Sequence, residues 1–448
     1  MPTDRARLQA HGYQGLLLTA GLLAVIPLAG SASAAEPLTS RVSVDSGGQQ
    51  ATDGDSYDHA VSADGRVVAF RSEASDLVEG DSNGTWDVFV HDRDTGQTSR
   101  VSVGPGGEQA GDGDSSAPTL SGDGRFVAFQ SNASTLVEGD TNGLLDIFVH
   151  DRETGTTSRI SVAADGEQAA DGDSFFPSIS ADGRFVAFMS TASNLVEGDT
   201  NGLSDVFVHD RQTGQTSRIN VTSGGAQATD GDSYDPAISA DGRFVAFESG
   251  ASNLVKRDKN GSFDVFVHDR QTAVTTRVSD KTGSRQAADG ESGEPAISAD
   301  GRFVAFGSSA TNLVTGDTND ISDVFVRDRE TGEMSRVSVG SAGEQVMDGY
   351  DSAAAISAEG RFVAFESGAS TLVAGDLNEV GDIFVHDRET GETLLVSVAT
   401  DGAPADGWSY GPALSADGRL VVYHSDATNL IDGDTNGISD VFVYAPLP

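Results

Sequence analysis

The chain has 448 residues, with 69 Asp and Glu against 28 Lys and Arg, a formal net charge of −41. That balance excludes a non-specific nucleic-acid binder, because no basic stripe exists to neutralise phosphates, and it disfavours docking on anionic lipid. Cysteine is absent, which removes disulfides, thiolate zinc sites, iron–sulfur clusters and thiol nucleophiles.

The first element is a targeting segment. Arg5 and Arg7 precede an apolar run from Leu16 to Leu28, and Ala32 and Ala34 in "SASAA" occupy the small-residue positions before a cleavage site. The run is short for a bilayer span and is broken by Gly21 and Pro27. Residues 1–34 are therefore expected to be a signal peptide and residues 35–448 a secreted mature chain with no membrane insertion; a retained N-terminal anchor is the alternative.

Everything after it is one motif written seven times. The arginine of "DGR" ("EGR" at Arg361) recurs at Arg66, Arg125, Arg184, Arg243, Arg302, Arg361 and Arg419, in steps of 59 with a last step of 58. Each unit reads as four short strands. A "PAIS"-like segment (Pro236 to Ser239) leads through an Asp-Gly turn into "RFVAF" (Arg243 to Phe247). A long loop reaches "DVFVHD" (Asp264 to Asp269), and a turn of "TG" type, as at Thr213 and Gly214, leads to a strand like "TSRVSV" (Thr98 to Val103). The middle strands are apolar on both faces, as in sheets sandwiched between neighbours, and helical spacing is nowhere sustained. A unit of about 59 residues is too long for a β-solenoid coil.

The last unit lacks its fourth strand, while Thr39 to Val44, "TSRVSV", is an orphan copy of it just after the leader. Pairing the two would seal a ring and leave no fraying edge. The expected fold is all-β: a seven-bladed β-propeller of four-stranded antiparallel blades, its last blade closed by the N-terminal strand.

"SADGRFVAF" followed by "DVFVHDRQTG" resembles the repeat of TolB-like, WD-related β-propellers, in which an S-x-D-G-R/K turn precedes an apolar strand. The resemblance spans the mature chain and implies a propeller; members of that family serve as scaffolds, binding proteins and regulatory domains of peptidases. The S-x-D-x-G-x-x-W box of sialidase propellers is not matched, because glycine directly follows the aspartate.

In such a meander the loop between strands two and three and the loop between blades open on one face, which gathers the acidic groups at one rim. The two-to-three loop carries D-x-N-G-x-x-D in Asp81/Asn83/Asp87, Asp140/Asn142/Asp146, Asp199/Asn201/Asp205 and Asp258/Asn260/Asp264. Its Asp, Asn and Asp recur in Asp317/Asn319/Asp323, Asp376/Asn378/Asp382 and Asp434/Asn436/Asp440. Oxygen ligands at alternate positions around a glycine suit Ca²⁺, and the loop is similar to the Asp/Asn-rich calcium loops of integrin-type propellers. The same residues equally form Asx-turns. Asp320 and Glu379 replace the glycine in units five and six, and a second acid available to complete a shell is Asp55, Asp114, Asp173, Asp232 and Glu291 but becomes Tyr350 and Trp408 in the last two copies. Structural Ca²⁺, best in units one to four, and no organic cofactor are the expectation.

Other chemistry-bearing residues reduce to architecture. His91, His150, His209, His268 and His386 occupy equivalent third-strand positions and cannot converge on one metal. The DGR arginines read as salt-bridged turn residues, and "GWSYG" (Gly407 to Gly411) matches G-x-S-x-G without the helix a nucleophile elbow needs.

A ligand site is expected where the copies disagree. Tyr57, Asp58, Phe175, Phe176, Tyr234, Asp235, Glu294, Trp408 and Tyr410 enter the innermost strands and are placed around the channel mouth. They suit an extracellular protein, peptide or glycan; aromatics merely packing between blades are the alternative. The reading is a monomeric, secreted, non-catalytic binding or scaffold module. The competing function is a polysaccharide hydrolase or lyase using paired carboxylates among Asp58, Asp235 and Glu294.

Overall fold

The computed structural model describes residues 38–281 and 289–447; the expected signal peptide lies outside them. Seven four-stranded sheets follow one another along the described residues. Blade one is typical, with strands Ser56–Val61, Val67–Ser72, Asp87–Asp92 and Gln97–Arg100, all antiparallel. Among the described residues no helix is long and apolar enough to cross a membrane.

The doubly apolar middle strands have the predicted cause. Val68, Phe70 and Phe89 of blade one pack with Val422 and Val441 of blade seven, whereas Val67, Ala69, Val88 and Val90 pack with Val127, Phe129 and Phe148 of blade two. Alternate residues thus bury against opposite neighbours. Inside each blade a second-strand ring stacks on a third-strand ring, as in Phe70 with Phe89 at 5.9 Å and Tyr423 with Phe442 at 6.0 Å.

Two features close the ring. Thr39–Arg41 pairs with Asp440–Tyr444 and completes blade seven. It also takes over the fourth strand's side-chain duties, with Thr39 Oγ1 donating to Val398 O and Arg41 bridging to Asp440. At the opposite end of the channel from the long loops, the turns between first and second strands, Asp-Gly in six blades and Glu-Gly in blade six, are linked by backbone hydrogen bonds. These run from Ala63 N to Gly122 O, then through Ala181, Ala240, Ala299, Ala358 and Ala416 back to Ala63 O, each 2.9–3.0 Å. This circuit of seven bonds binds the blades around the axis where their first strands meet.

Two boundaries differ from the sequence reading. The fourth strand stops at Arg100, because Ser102 Oγ rather than a backbone carbonyl accepts from Val88 N, and the chain peels away; the sealing strand is correspondingly Thr39–Arg41. The first strand begins earlier, at Ser233 in blade four, and contains a bulge.

The repeated polar residues are structural. Arg66, Arg125, Arg184, Arg243, Arg302 and Arg361 each reach the aspartate that ends the third strand, as in Arg125 Nε and Nη2 to Asp151 at 2.8 and 2.7 Å. The five third-strand histidines each meet a fourth-strand threonine, as in His91 Nδ1 with Thr98 Oγ1 at 2.9 Å. Ser409 of the G-x-S-x-G match is fully buried and shares a hydrogen bond with Ser425 Oγ at 2.9 Å.

Candidate functional site

The long loops do meet on one face. Asn83 Nδ2 donates to Ala110 O at 2.9 Å and Trp86 N donates to Asp114 Oδ1 at 3.1 Å, and the pattern repeats around the ring. The second acid therefore accepts a backbone N–H from the preceding blade's loop; Asp55 does so for Ser439 across the closure, at 2.9 Å.

The D-x-N-G-x-x-D loops are drawn together around a charge supplied by the chain itself. In blade one, Arg100 Nη1 lies 3.1 Å from Asp81 Oδ2 and 3.5 Å from Asp87 Oδ2. Arg159 does the same for Asp140 and Asp146, and Arg218 for Asp199 and Asp205, at 3.1 Å from each of the latter two. Arg277 joins Asp258 and Asp264, Arg336 joins Asp317 and Asp323, and Arg41 joins Asp434 and Asp440. In six of the seven loops the position expected for Ca²⁺ thus faces a guanidinium. At these six aspartate pairs, expected as calcium ligands and best in units one to four, the chain itself supplies a counter-charge.

The asparagines of the same loops are engaged locally. Each turns its amide nitrogen, not its carbonyl oxygen, towards the second aspartate of its own loop. Asn83 Nδ2 donates to Asp87 at 3.0 Å, Asn142 to Asp146 at 2.8 Å and Asn201 to Asp205 at 3.0 Å. Asn260 donates to Asp264 at 3.0 Å, Asn319 to Asp323 at 3.2 Å, Asn378 to Asp382 at 2.7 Å and Asn436 to Asp440 at 3.0 Å. The carbonyl oxygen accepts from the backbone N–H two residues on, as from Leu144 at Asn142 and Leu203 at Asn201, 3.1 Å each. Asn260, Asn319 and Asn436 accept likewise from Ser262, Ile321 and Ile438, each at 3.4 Å. This is the Asx-turn, and it takes up the oxygen a cation would need. Among the described residues, no group of three or more His, Asp or Glu is arranged to hold a metal. The glycine slot needs a left-handed backbone, and Asp320 and Glu379 adopt it too, at φ 57° and 59°.

The channel mouth on this face is built by the bulge. Asp58, Ala117, Phe176, Asp235 and Glu294 hold φ between 42° and 52°, in a region non-glycine residues rarely occupy, and Gly411 holds it at 58°. The register slips there in every first strand, between Tyr57 and Ala60 in blade one and between Gly293 and Ala296 in blade five. Strained bulges of this kind re-aim side chains next to functional sites.

The sequence-derived candidates fall into three groups. Tyr57, Trp408 and Tyr410 join one aromatic arc across blades six, seven and one. Its order is Tyr350, Trp408, Tyr410, His424, Tyr57, Trp86, with neighbouring centroids 5.1–6.5 Å apart. Arg71 caps the arc, 4.7 Å above the Trp86 ring, and pairs with Asp58 at 3.1 Å. Phe175 and Phe176 form a separate pair, with Phe176 48% exposed. Tyr234, Asp235 and Glu294 belong to a third group, beside Glu248 and Phe263.

That third group borders a cleft of about 310 Å³ running from blade four towards blade six, lined by Glu248, Phe263, Glu291, Gly293, Glu294, Gly307, Asp351 and Ser352. Its cause is local to blade five, where Gly293 and Gly307 face each other in register and leave no side chains where other blades carry them. A Cβ on Gly293 would overlap Glu248 Oε2, so the neighbouring carboxylate takes up the space. Glu248 in turn accepts from Glu294 N at 3.1 Å. Burial, then the nearby Asp235 charge, pushes the Glu248 carboxyl up to about 7. Burial and Glu294 push Asp235 to about 6. Asp351, which stands where the other six blades have serine, is raised by burial to about 7. These groups titrate close to neutrality and can hold a cation or share a proton.

Glu248, Asp351, Arg71 and His424 were missed by sequence reasoning, although a signal existed. Within the repeated "FVAFxS" the variable residue runs Arg71, Gln130, Met189, Glu248, Gly307, Glu366, with His424 in the "VVYHS" of unit seven. It is as asymmetric as the first-strand positions and lies opposite them in register.

No family model and no curated protein matches the sequence. Solved structures do resemble it. An oligogalacturonate lyase in complex with manganese is 13% identical, with 92% of this chain and 93% of that chain covered, at a TM-score of 0.55. The chain is a seven-bladed β-propeller. The propeller domain of the Trilobed protease from Pyrococcus furiosus is 12% identical over 88% of this chain and 94% of that one, at a TM-score of 0.51. That domain is described as having an open velcro topology, whereas here the N-terminal strand closes blade seven. TolB from Acinetobacter baumannii is also similar, 17% identical over 77% of this chain and 64% of that one, at 0.40. At these identities the first two likenesses speak for fold alone.

Proposed function

We propose that this propeller is a secreted, monomeric, non-catalytic binding module whose long-loop face takes a peptide or glycan bearing an amine or guanidinium group. The observation that carries this reading is the glycine-opened cleft: a concave space lined by Glu248, Glu291, Glu294 and Asp351, with the Phe263 ring in its wall. A cation entering it would meet carboxylates already held in place, and the Tyr234–Phe263 stack, 5.8 Å between centroids, offers apolar surface beside the charge. The same carboxylates repel a polyanion, so an acidic polysaccharide fits the cleft poorly.

The test is an array of lysine- and arginine-containing peptides and amino-sugar oligosaccharides, followed by calorimetry on the best binder with wild type and Gly307→Gln. Gly307 has open space around its Cβ and an ordinary backbone, and Gln130 stands at its position in blade two, so the variant folds and fills the cleft. At least a tenfold loss of affinity is expected, and unchanged affinity would sink the reading. The hydrolase or lyase alternative rests on the Glu248 carboxyl near 7, a value suited to a general acid. Release of new sugar ends from neutral polysaccharides, abolished by Glu248→Gln, would establish it instead. Structural calcium, the remaining part of the reading, comes down to one loop.

A further inference from the structure

We propose that the two-to-three loop of blade six binds a single small cation, Ca²⁺ by its oxygen chemistry, between Asp376 and Asp382. The assignment deepens the calcium part of the reading above and is independent of the cleft.

Blade six keeps the acids and loses what neutralises them. Its fourth strand, Thr393–Leu395, carries Leu395 where the six other copies carry an arginine against their acid pair. The second donor is missing too. Gln109 and Gln345 donate to Asp81 and Asp317 at 2.6 and 2.8 Å, and the matching residue in blade six is Pro404. Two cation- or hydrogen-donating side chains have become apolar together while Asp376, Asn378 and Asp382 all remain.

The acids are also out of water. Asp376 is 3% exposed and Asp382 fully buried, and Asp376 Oδ1 has no hydrogen-bond donor. Its counterparts in the other loops face the guanidinium. Asp382 is held in the standard way, Oδ1 accepting from Ser397 Oγ at 2.6 Å and Oδ2 from Asn378 Nδ2 at 2.7 Å. The Asn378 amide also donates to Ala405 O at 2.9 Å, so it braces the loop while the carboxylates face the missing charge. Buried like charges need a counter-charge or a proton. Enclosure favours a small ion over a partner's side chain, and hard carboxylate oxygens favour Ca²⁺ with water completing its shell.

The chain supplies its own reporter. Trp408 packs on Gly381, the residue before Asp382: a Cβ there would meet the ring at 2.6 Å. The other of the two tryptophans, Trp86, precedes Asp87, whose pair is already occupied by Arg100. Tb³⁺, a luminescent stand-in for Ca²⁺, should therefore be sensitised through Trp408. The experiment titrates chelator-treated full-length protein with Tb³⁺ alone, then displaces it with Ca²⁺, in wild type, Leu395→Arg, Asp376→Asn, Trp408→Phe and Trp86→Phe. Expected are a saturable signal in wild type and Trp86→Phe, its loss in the other three, and competition by Ca²⁺ that returns a Ca²⁺ dissociation constant on the order of 10⁻⁴–10⁻³ M. In parallel, adding Ca²⁺ to about 10 mM should raise the wild-type melting midpoint by about 2 °C and leave Leu395→Arg unmoved. Should Leu395→Arg fail to fold, Asp376→Asn carries the comparison alone. Tb³⁺ emission retained in Asp376→Asn, or no Ca²⁺ response in wild type, overturns the proposal; the second result means that a proton satisfies the pair.

Discussion

Replacing Arg100 with leucine gives blade one the arrangement blade six has by nature, and the structure sets the size of the effect. The Arg100 side chain is 10% exposed, Asp81 6% and Asp87 not at all, with Nη1 3.1 and 3.5 Å from the two carboxylates. At an effective dielectric near 20, charges this close attract by roughly 5 kcal/mol each, and the desolvation of arginine that is relieved offsets much of that. Breaking a buried pair costs about 3–5 kcal/mol, and leucine regains some of it by burying apolar surface, so about 3 kcal/mol is expected near pH 7. With an unfolding entropy of about 2.1 cal/mol/K per residue over roughly 410 residues, the midpoint falls by about 3–4 °C. The pH dependence separates charge from packing. Burial already raises Asp87 above the usual carboxylate range in the presence of Arg100, and losing the cation raises it further. A folded-state value above the unfolded one means stability present at low pH and lost as pH rises through the folded value. The penalty of Arg100→Leu should therefore be large at about pH 7–8 and shrink towards about pH 5. Denaturant titrations across that range measure it, and a penalty under about 1 kcal/mol, or one flat with pH, refutes the account of these loops.

Two further outcomes follow from the same structure. A chain beginning at Asp45 exposes the edge strand Asp440–Tyr444 and strips Asp440 of Arg41 and Ser43, so its midpoint should drop by at least about 4 °C. It should also self-associate; adding a peptide of residues 38–46 should reverse both, and a monomer with unchanged melting would deny that the closure matters. Stability of the whole chain should peak on the acid side of neutrality. Asp92, Asp151, Asp210, Asp269 and Asp328 are held low by their arginines and contribute above the unfolded aspartate range, a contribution lost as pH falls below about 4. Glu248 and Asp235, raised to about 7 and about 6, contribute at low pH and lose that contribution as pH climbs through those values. A melting profile with its maximum near about pH 5, flattened on the alkaline side by Glu248→Gln, is expected; a steady rise to about pH 8 contradicts it.

The fold is legible because repetition supplies seven readings of one physical problem. A single Asp-Gly between apolar runs is a hairpin signal; six of them and one Glu-Gly at near-constant spacing, with an orphan strand at one end and a missing one at the other, fix blade number and closure. What spacing does not show is where the ladder breaks. Strand four ends because the Ser102 hydroxyl substitutes for a backbone acceptor, and strand one lengthens because Asp58 and its counterparts enter the left-handed region. Both depend on side-chain partners that the chain brings in from elsewhere.

The loops teach the sharper lesson. Counting oxygens in D-x-N-G-x-x-D points to metal, yet the counter-charge in six copies comes from an arginine on the blade's fourth strand, as Arg100 serves Asp87. Antiparallel pairing sets Arg100 opposite Phe89, two residues from that aspartate, so the partner becomes visible once strand four is folded back on strand three. The asparagine oxygens are no better guide, since Asn142 or Asn319 spends its oxygen on its own turn and offers its amide to the acid. Weighing the copies by glycine and second acid together favours units one to four, whereas weighing them by charge balance singles out unit six, where "TLLVSV" lacks the arginine of "TSRVSV". The same comparison exposes the cleft, since blade five is the copy with glycine at both facing positions, Gly293 and Gly307. In a ring of near-identical blades the shared residues solve folding seven times over, and a departure that leaves buried charge or empty volume uncompensated marks where something from outside the chain belongs.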